Sequence, residues 1–114
     1  MEAPVSIVKL SFASGAMVSD IKFIGNKSIV AVRLPSTWPA HDVDELALYA
    51  GYSETDTPDP VYDSSGTAVT VPGVAAGAYV TFNQSLTGLL AVQVKTTKAQ
   101  TAGNYVELIC RDVA

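Results

Sequence analysis

The sequence predicts an all-β protein: a single antiparallel β-sandwich, jelly-roll-like, with eight or nine short strands and little or no helix. Three observations carry that expectation. Apolar residues recur at a period of two, most clearly in Leu90, Val92 and Val94 against Ala91, Gln93 and Lys95, and in Val106, Leu108 and Cys110 against Glu107, Ile109 and Arg111. Clusters of Gly, Pro, Asn, Asp and Ser separate such windows at regular intervals. No window sustains a 3.6-residue period with caps, so any helix is a turn or two, near Thr37 to Asp42 or Gln84 to Gly88. A closed barrel is the alternative architecture, because local pattern does not give strand order.

The elements follow in chain order. Residues 1–6 read as an N-terminal arm and residues 7–114 as the sandwich domain. Val8, Leu10 and Phe12 alternate with Lys9 and Ser11 in a first strand that stops at Ala13-Ser14-Gly15. Ile21, Phe23 and Ile24 form a brief strand ending at Gly25-Asn26, a pair suited to a tight turn, so a hairpin is expected into the strand Ser28 to Leu34. Pro35 ends that strand, and Pro35 to Asp42 is an irregular loop held open by two prolines around Trp38. Asp44 to Tyr52 is a central strand, and Ser53 to Pro60 a polar, turn-forming loop. Val61-Tyr62, a turn at Asp63 to Gly66, and Thr67 to Val71 follow, with Pro72-Gly73 closing the hairpin. Tyr79 to Phe82 is a short strand and Asn83 to Gly88 a turn. The last two strands, Leu90 to Lys95 and Tyr105 to Val113, flank a polar loop and are expected to neighbour each other in one antiparallel sheet.

At 114 residues the chain suits one domain with one core. Apolar residues make up 48% and charged residues 16%, which fits a folded domain with covered surface and not a disordered tail. Seven basic against eleven acidic residues give a net charge of −4, which argues against a phosphate-tracking nucleic-acid surface. The single cysteine, Cys110, falls on the apolar side of the last strand and reads as a small core hydrophobe. The N-terminus has no basic leader and no apolar run approaches the ~20 residues of a membrane span. A cytoplasm-like compartment of synthesis is therefore expected, and the sequons at Asn26 and Asn83 are read as chance matches.

Catalytic chemistry finds little to work with. The one histidine, His41, lies beside Asp42, Asp44 and Glu45, without the fixed spacing, turn glycine and carbonyl donors of a calcium loop. There is no Gly-x-Ser-x-Gly elbow, no Cys/His cluster and no phosphate-cradling glycine loop. The expectation is therefore a protein without catalytic residues, cofactor or metal, and with no nucleic-acid or membrane partner. Five tyrosines, Tyr49, Tyr52, Tyr62, Tyr79 and Tyr105, leave a sugar-stacking face as a minor alternative. Trp38 could cap the sandwich or stand out as an interface anchor. Glu2, Ala3, Pro4 and Val5 of the arm, with Trp38 and His41 of the loop, are the candidate interface residues.

Several segments together resemble small structural proteins of tailed bacteriophages. They are Ile29 to Trp38, Ser65 to Val71, Tyr79 to Phe82 with Gly88 to Lys95, and Gln100 to Leu108. The likeness runs from about Ser28 to Asp112, whereas Gly51 to Pro60 departs from the shorter turn expected there and residues 1–6 have no counterpart. The family's members are head decoration (cement) or other virion-surface proteins built as compact β-sandwiches. The resemblance implies a protein made in the host bacterial cytoplasm and carried on the capsid surface of the virion. It further implies a homo-oligomer, commonly a trimer, that bridges subunits of the major capsid protein. A place at a head fibre, neck or tail, or a carbohydrate- or receptor-binding role, are the alternatives. The arm is expected to add a strand to a neighbour's edge, so that deleting residues 2–6 weakens particle binding without unfolding the domain.

Overall fold

The computed structural model describes residues 5–25, 27–36, 38, 46–71, 77–97, 99–100 and 104–112. They form nine strands: β1 (Val5–Ser11), β2 (Lys22–Phe23), β3 (Lys27–Arg33), β4 (Leu46–Gly51), β5 (Asp59–Pro60), β6 (Thr70–Val71), β7 (Tyr79–Leu86), β8 (Ala91–Thr96) and β9 (Tyr105–Asp112). No helix occurs among the described residues. One sheet has the order β1-β9-β3-β7; the other runs β2-β8-β4-β5, with β6 also on β4. All pairings are antiparallel.

β5 and β6 are two ends of one outer strand. Pro60 and Asp59 face Tyr49 and Ala50, while Val71 and Thr70 face Leu46 and Ala47 farther along the same edge. Between them the Val61 N–H donates to the Leu48 carbonyl and the Leu48 N–H donates to the Val69 carbonyl. The intervening residues leave the sheet as a small hairpin, closed by the Val69 N–H on the Val61 carbonyl and a bridge between Tyr62 and Ala68. Counting β5 and β6 as one strand gives two four-stranded sheets in jelly-roll order.

In this order the chain changes sheet at each step from β1 to β4 and again from β7 to β9. Two sequence expectations are corrected as a result. β8 and β9 do not pair; they lie in opposite sheets, and their apolar sides meet across the core. Nor do β2 and β3 form a hairpin, for β2 pairs with β8 and β3 with β9 and β7. An alternating pattern identifies the buried side of a strand but leaves its neighbour open. Boundaries shift too. β1 begins at Val5, so Val5 and Ser6 are strand residues opposite Arg111 and Cys110 and not part of an arm. β7 continues to Leu86, which removes the expected turn or helix there. At β2 the exposed side chain is Phe23 and the buried one is Ile24.

The core lies between the sheets. Leu10, Ile29, Val32, Val106, Leu108 and Cys110 from the first sheet meet Leu46, Leu48, Val71, Val92 and Val94 from the second. An apolar void of about 10 Å³ is left among Ile29, Val32, Leu46, Leu48, Val71, Phe82, Val94 and Leu108, close to native packing density. Gln93, read from the sequence as an outward residue, is also buried, because the segment after β1 folds over β8. Its amide donates to the Ser19 carbonyl at 2.9 Å, and the Ser19 hydroxyl accepts the Val94 N–H at 3.0 Å. Polar groups covered in this way need such partners.

The Asp63–Gly66 turn forms as its residues demand. The Asp63 carboxylate accepts the Thr67 N–H at 2.9 Å, the Ser65 N–H at 3.0 Å and the Ser65 hydroxyl at 2.8 Å. Gly66 takes φ +85°, where a side chain would be strained. The bond from the Thr67 N–H, then that from the Ser65 hydroxyl, hold the Asp63 carboxyl below its ordinary value of 3.8. A carboxylate with a lowered folded pKa stabilises fully above its unfolded value, and that contribution is lost as the pH falls through the folded pKa. In urea titrations, the stability difference between wild type and Asp63→Ala is therefore expected to be constant near neutrality and to shrink below pH 3.8. A difference that stays constant down to strong acid would show that the carboxylate charge does not hold the turn.

Candidate interaction surface

The outer face of the β1-β9-β3-β7 sheet is built in rows set by the strand register. Because Val106, Leu108 and Cys110 point inward, the odd-numbered residues of β9 point out, and so do their partners on β1 and β3. One row reads Ile7, Ile109, Ala31, Thr81; the next reads Lys9, Glu107, Arg33, Tyr79. Val5 stands beside Arg111 at the end of the sheet. Val5 and Ile7 are 57% and 59% exposed and Ile109 is half-buried, whereas Ala31 is buried, so the apolar stripe open to solvent is confined to the β1–β9 side of the face.

The second row is fixed by contacts among its own members. Arg33 Nη1 lies 2.9 Å from Glu107 Oε1, and the Arg33 guanidinium carbon lies 5.7 Å from the centre of the Tyr79 ring. Lys9 Nζ sits 4.0 Å from the centre of the Tyr105 ring. Cation-on-ring contacts of this kind are worth ~0.5–1 kcal/mol at exposed sites. Their main consequence here is that the cations lie flat on the sheet beside the apolar stripe. Among the described outward residues of β1, β9 and β3, Lys9, Arg33 and Arg111 stand with Glu107, so this part of the face is locally basic, whereas Asp56, Asp59 and Asp63 lie on the loop and edge that follow β4.

A separate cleft of about 540 Å³ opens at the end of the other sheet, lined by Tyr52, Asp56, Thr57, Asp59, Gly88 and Leu90 among others. The five tyrosines divide between the surfaces. Tyr105, Tyr79 and Tyr49 hold Lys9, Arg33 and Lys95 respectively, the last at 4.1 Å. Tyr52 is the most exposed, at 82%.

Of the candidate interface residues, Val5 is exposed on β1 and borders the stripe. Trp38 is core and not an exposed anchor: it is 3% exposed and packs edge-on against Phe12, ring centres 5.8 Å apart at 61°. The Pro35 carbonyl accepts both the Trp38 N–H and the Gly77 N–H, which ties Trp38 to the end of the strand before it. Glu2, Ala3, Pro4 and His41 lie outside the described residues. Cys110 is fully buried, as its position in the alternation predicted, and burial pushes its thiol up to about 11. A thiol held so far above its ordinary range carries little thiolate near neutrality and reads as packing, not chemistry.

Sequence reasoning missed Ile7 and Ile109 as surface residues of interest. Their alternation was visible, but each is a lone apolar side chain until the β1–β9 register sets them side by side. Family models, curated proteins and solved structures give no significant match to the chain.

Proposed function

We propose that this domain is a virion-surface structural protein of the capsid decoration (cement) type, which binds the outside of an assembled bacteriophage head and bridges subunits of the major capsid protein. The observation that carries the reading is the stripe of Val5, Ile7 and Ile109 on strands paired in unbroken register, bordered by cations set over tyrosine rings. Apolar surface held open on a regular sheet marks a place where another protein sits. The jelly-roll order supports the reading as fold-level analogy, since that architecture recurs in capsid proteins. Many copies on one particle turn a modest contact into firm attachment.

The test is to incubate heads assembled without this chain with the purified domain and measure bound copies by sedimentation and gel densitometry. Saturable binding at hundreds of copies per head is expected, and Ile109→Asp should reduce it more than ten-fold while leaving the thermal midpoint within a few degrees. Binding of about a dozen copies or fewer would move the protein to a neck, tail or fibre site, and no binding would overturn the reading. Deleting residues 2–4, which leaves β1 whole, tests the arm: unchanged occupancy removes it from the interface.

A second reading has its own observation. The cleft with the exposed Tyr52 ring beside Asp56, Thr57 and Asp59 offers a stacking platform and hydroxyl acceptors for a sugar. A glycan array with the isolated domain tests it, and a specific ligand lost on Tyr52→Ala would support it.

A further inference from the structure

Both sheets end in edge strands, and the four edges differ in how they are protected. β2 is two residues long. The β5/β6 edge is interrupted by a hairpin and carries Pro60. β7 is long, but its pairing with β3 shifts register between Ile29 and Ala31, so it does not offer a straight row of donors and acceptors. Short length, proline and bulges are the usual devices that stop edge-to-edge pairing. Of these, and of the edge lysines that serve the same end, β1 carries only Lys9, whose ammonium lies 4.0 Å from the centre of the Tyr105 ring on β9. It is seven residues long, pairs with β9 in unbroken register, and exposes the β-branched Val5 and Ile7.

The main-chain groups that β1 offers can be assigned. The Phe12 N–H donates to the Asn104 carbonyl, toward β9. Main-chain groups alternate sides along a strand, so those of Leu10, Val8 and Ser6 also face β9, while those of Ser11, Lys9, Ile7 and Val5 face away. At Ser11 this is seen directly: its N–H donates to Asp20 Oδ1 at 2.9 Å and its carbonyl accepts the Asp20 N–H. Asp20 thus closes the edge at Ser11. Among the described residues no strand pairs with the Val5–Ile7–Lys9 side.

We infer that β1 is a self-association edge: two copies of this chain pair their β1 strands antiparallel about a two-fold axis at Ile7, joining two four-stranded sheets into one of eight. The register follows from the free groups. Centred on Ile7, the outward-facing residues pair as Ile7 with Ile7 and Val5 with Lys9 of the second copy, and every open donor and acceptor is used. Centred on Val8, Val5 would meet Ser11, whose main chain Asp20 already occupies. Centred on Lys9, two like charges would stand opposite each other, which is unfavourable. The Ile7 centre also runs the two Ile7–Ile109 rows together into one apolar stripe across the axis. The assembly closes with two copies, a different symmetry from the trimer that the phage resemblance implies.

The test uses the isolated full chain, so it stands apart from whether the domain binds particles. Sedimentation equilibrium at tens of micromolar should give twice the chain mass of 11.9 kDa. Ile7→Pro removes an N–H that faces the open edge and takes no part in the β1–β9 ladder, so it should weaken the dimer at least ten-fold with the circular dichroism spectrum retained. Ile7→Cys gives a second, register-specific readout that does not depend on that variant folding. Residue 7 alone faces its own copy, at the ~5.5 Å Cα separation of a hydrogen-bonded pair, which a disulfide spans. Mild oxidation should therefore cross-link Ile7→Cys much faster than Val5→Cys or Lys9→Cys, with the buried Cys110 not competing. A monomer or a trimer in solution, or equal cross-linking at the three positions, would overturn the inference.

Discussion

Replacing Trp38 with Ala is expected to lower folding stability by about 3–5 kcal/mol, the usual range for deleting a buried aromatic. The size follows from where the ring sits. Trp38 is in the same apolar cluster as Phe12, Ile24 and Leu34, and it packs edge-on against Phe12 in the arrangement aromatic pairs favour. Phe12, the ring beside the space it leaves, directly follows β1 and is tied down by its N–H on the Asn104 carbonyl, so collapse into that space is limited. Urea denaturation compares the midpoints. Because Trp38 is the only tryptophan, its native emission should also be blue-shifted and move red on unfolding. A loss below about 1 kcal/mol together with a solvent-like native spectrum would place the ring outside the core.

Trp38 also shows where the sequence was readable and where it was not. The sequence left two options for Trp38, cap or anchor, and both were consistent with the flanking Pro35 and Pro39. What decides between them is the long-range contact with Phe12, which no local window contains. The same distinction runs through the fold. The all-β class, most of the strands, the inward placement of Leu10, Val92, Val94, Val106, Leu108 and Cys110, and the Asp63–Gly66 turn follow from alternation and turn chemistry, whereas β5 (Asp59–Pro60) falls where a polar loop was expected. Pairing does not follow from them, because the jelly roll sends successive strands to opposite sheets, and two strands in succession then look locally like a hairpin.

The candidate surface was legible only in fragments for the same reason. Val5 was identified through the arm, yet its significance lies in its strand. Ile7, Lys9, Glu107, Ile109 and Arg33 become a surface once register aligns β1, β9 and β3 into rows. The pairing of Lys9 with Tyr105 spans most of the chain, and so does that of Arg33 with Glu107. The charge imbalance, by contrast, was visible from composition, but its separation into a basic sheet face and an acidic loop required the fold.

A matched pair of substitutions measures that difference in energy. Leu90 and Leu108 occupy equivalent places in the sequence pattern, each on the apolar side of an alternating window, and the pattern alone assigns them equal cost. In the structure Leu108 is fully buried, stands between Val8 and Val32 on the central strand β9, and borders the small void at the middle of the core. Leu90 lies just ahead of β8, is 36% exposed and helps line the Tyr52 cleft; its carbonyl, accepting the Ile24 and Gly25 N–H groups, is what holds the chain there. Leu108→Ala is expected to cost about 2–5 kcal/mol, toward the upper end because strands bonded on both sides resist collapse into the enlarged void. Leu90→Ala keeps the main-chain bonds and is expected to cost about 1 kcal/mol or less. Urea midpoints at constant slope read both values. Equal losses would mean that Leu90 is packed as deeply as its spacing suggests and that the cleft beside Tyr52 is closed in solution. A large difference would confirm that Leu108 is packed at the centre of the core while Leu90 stands at its margin.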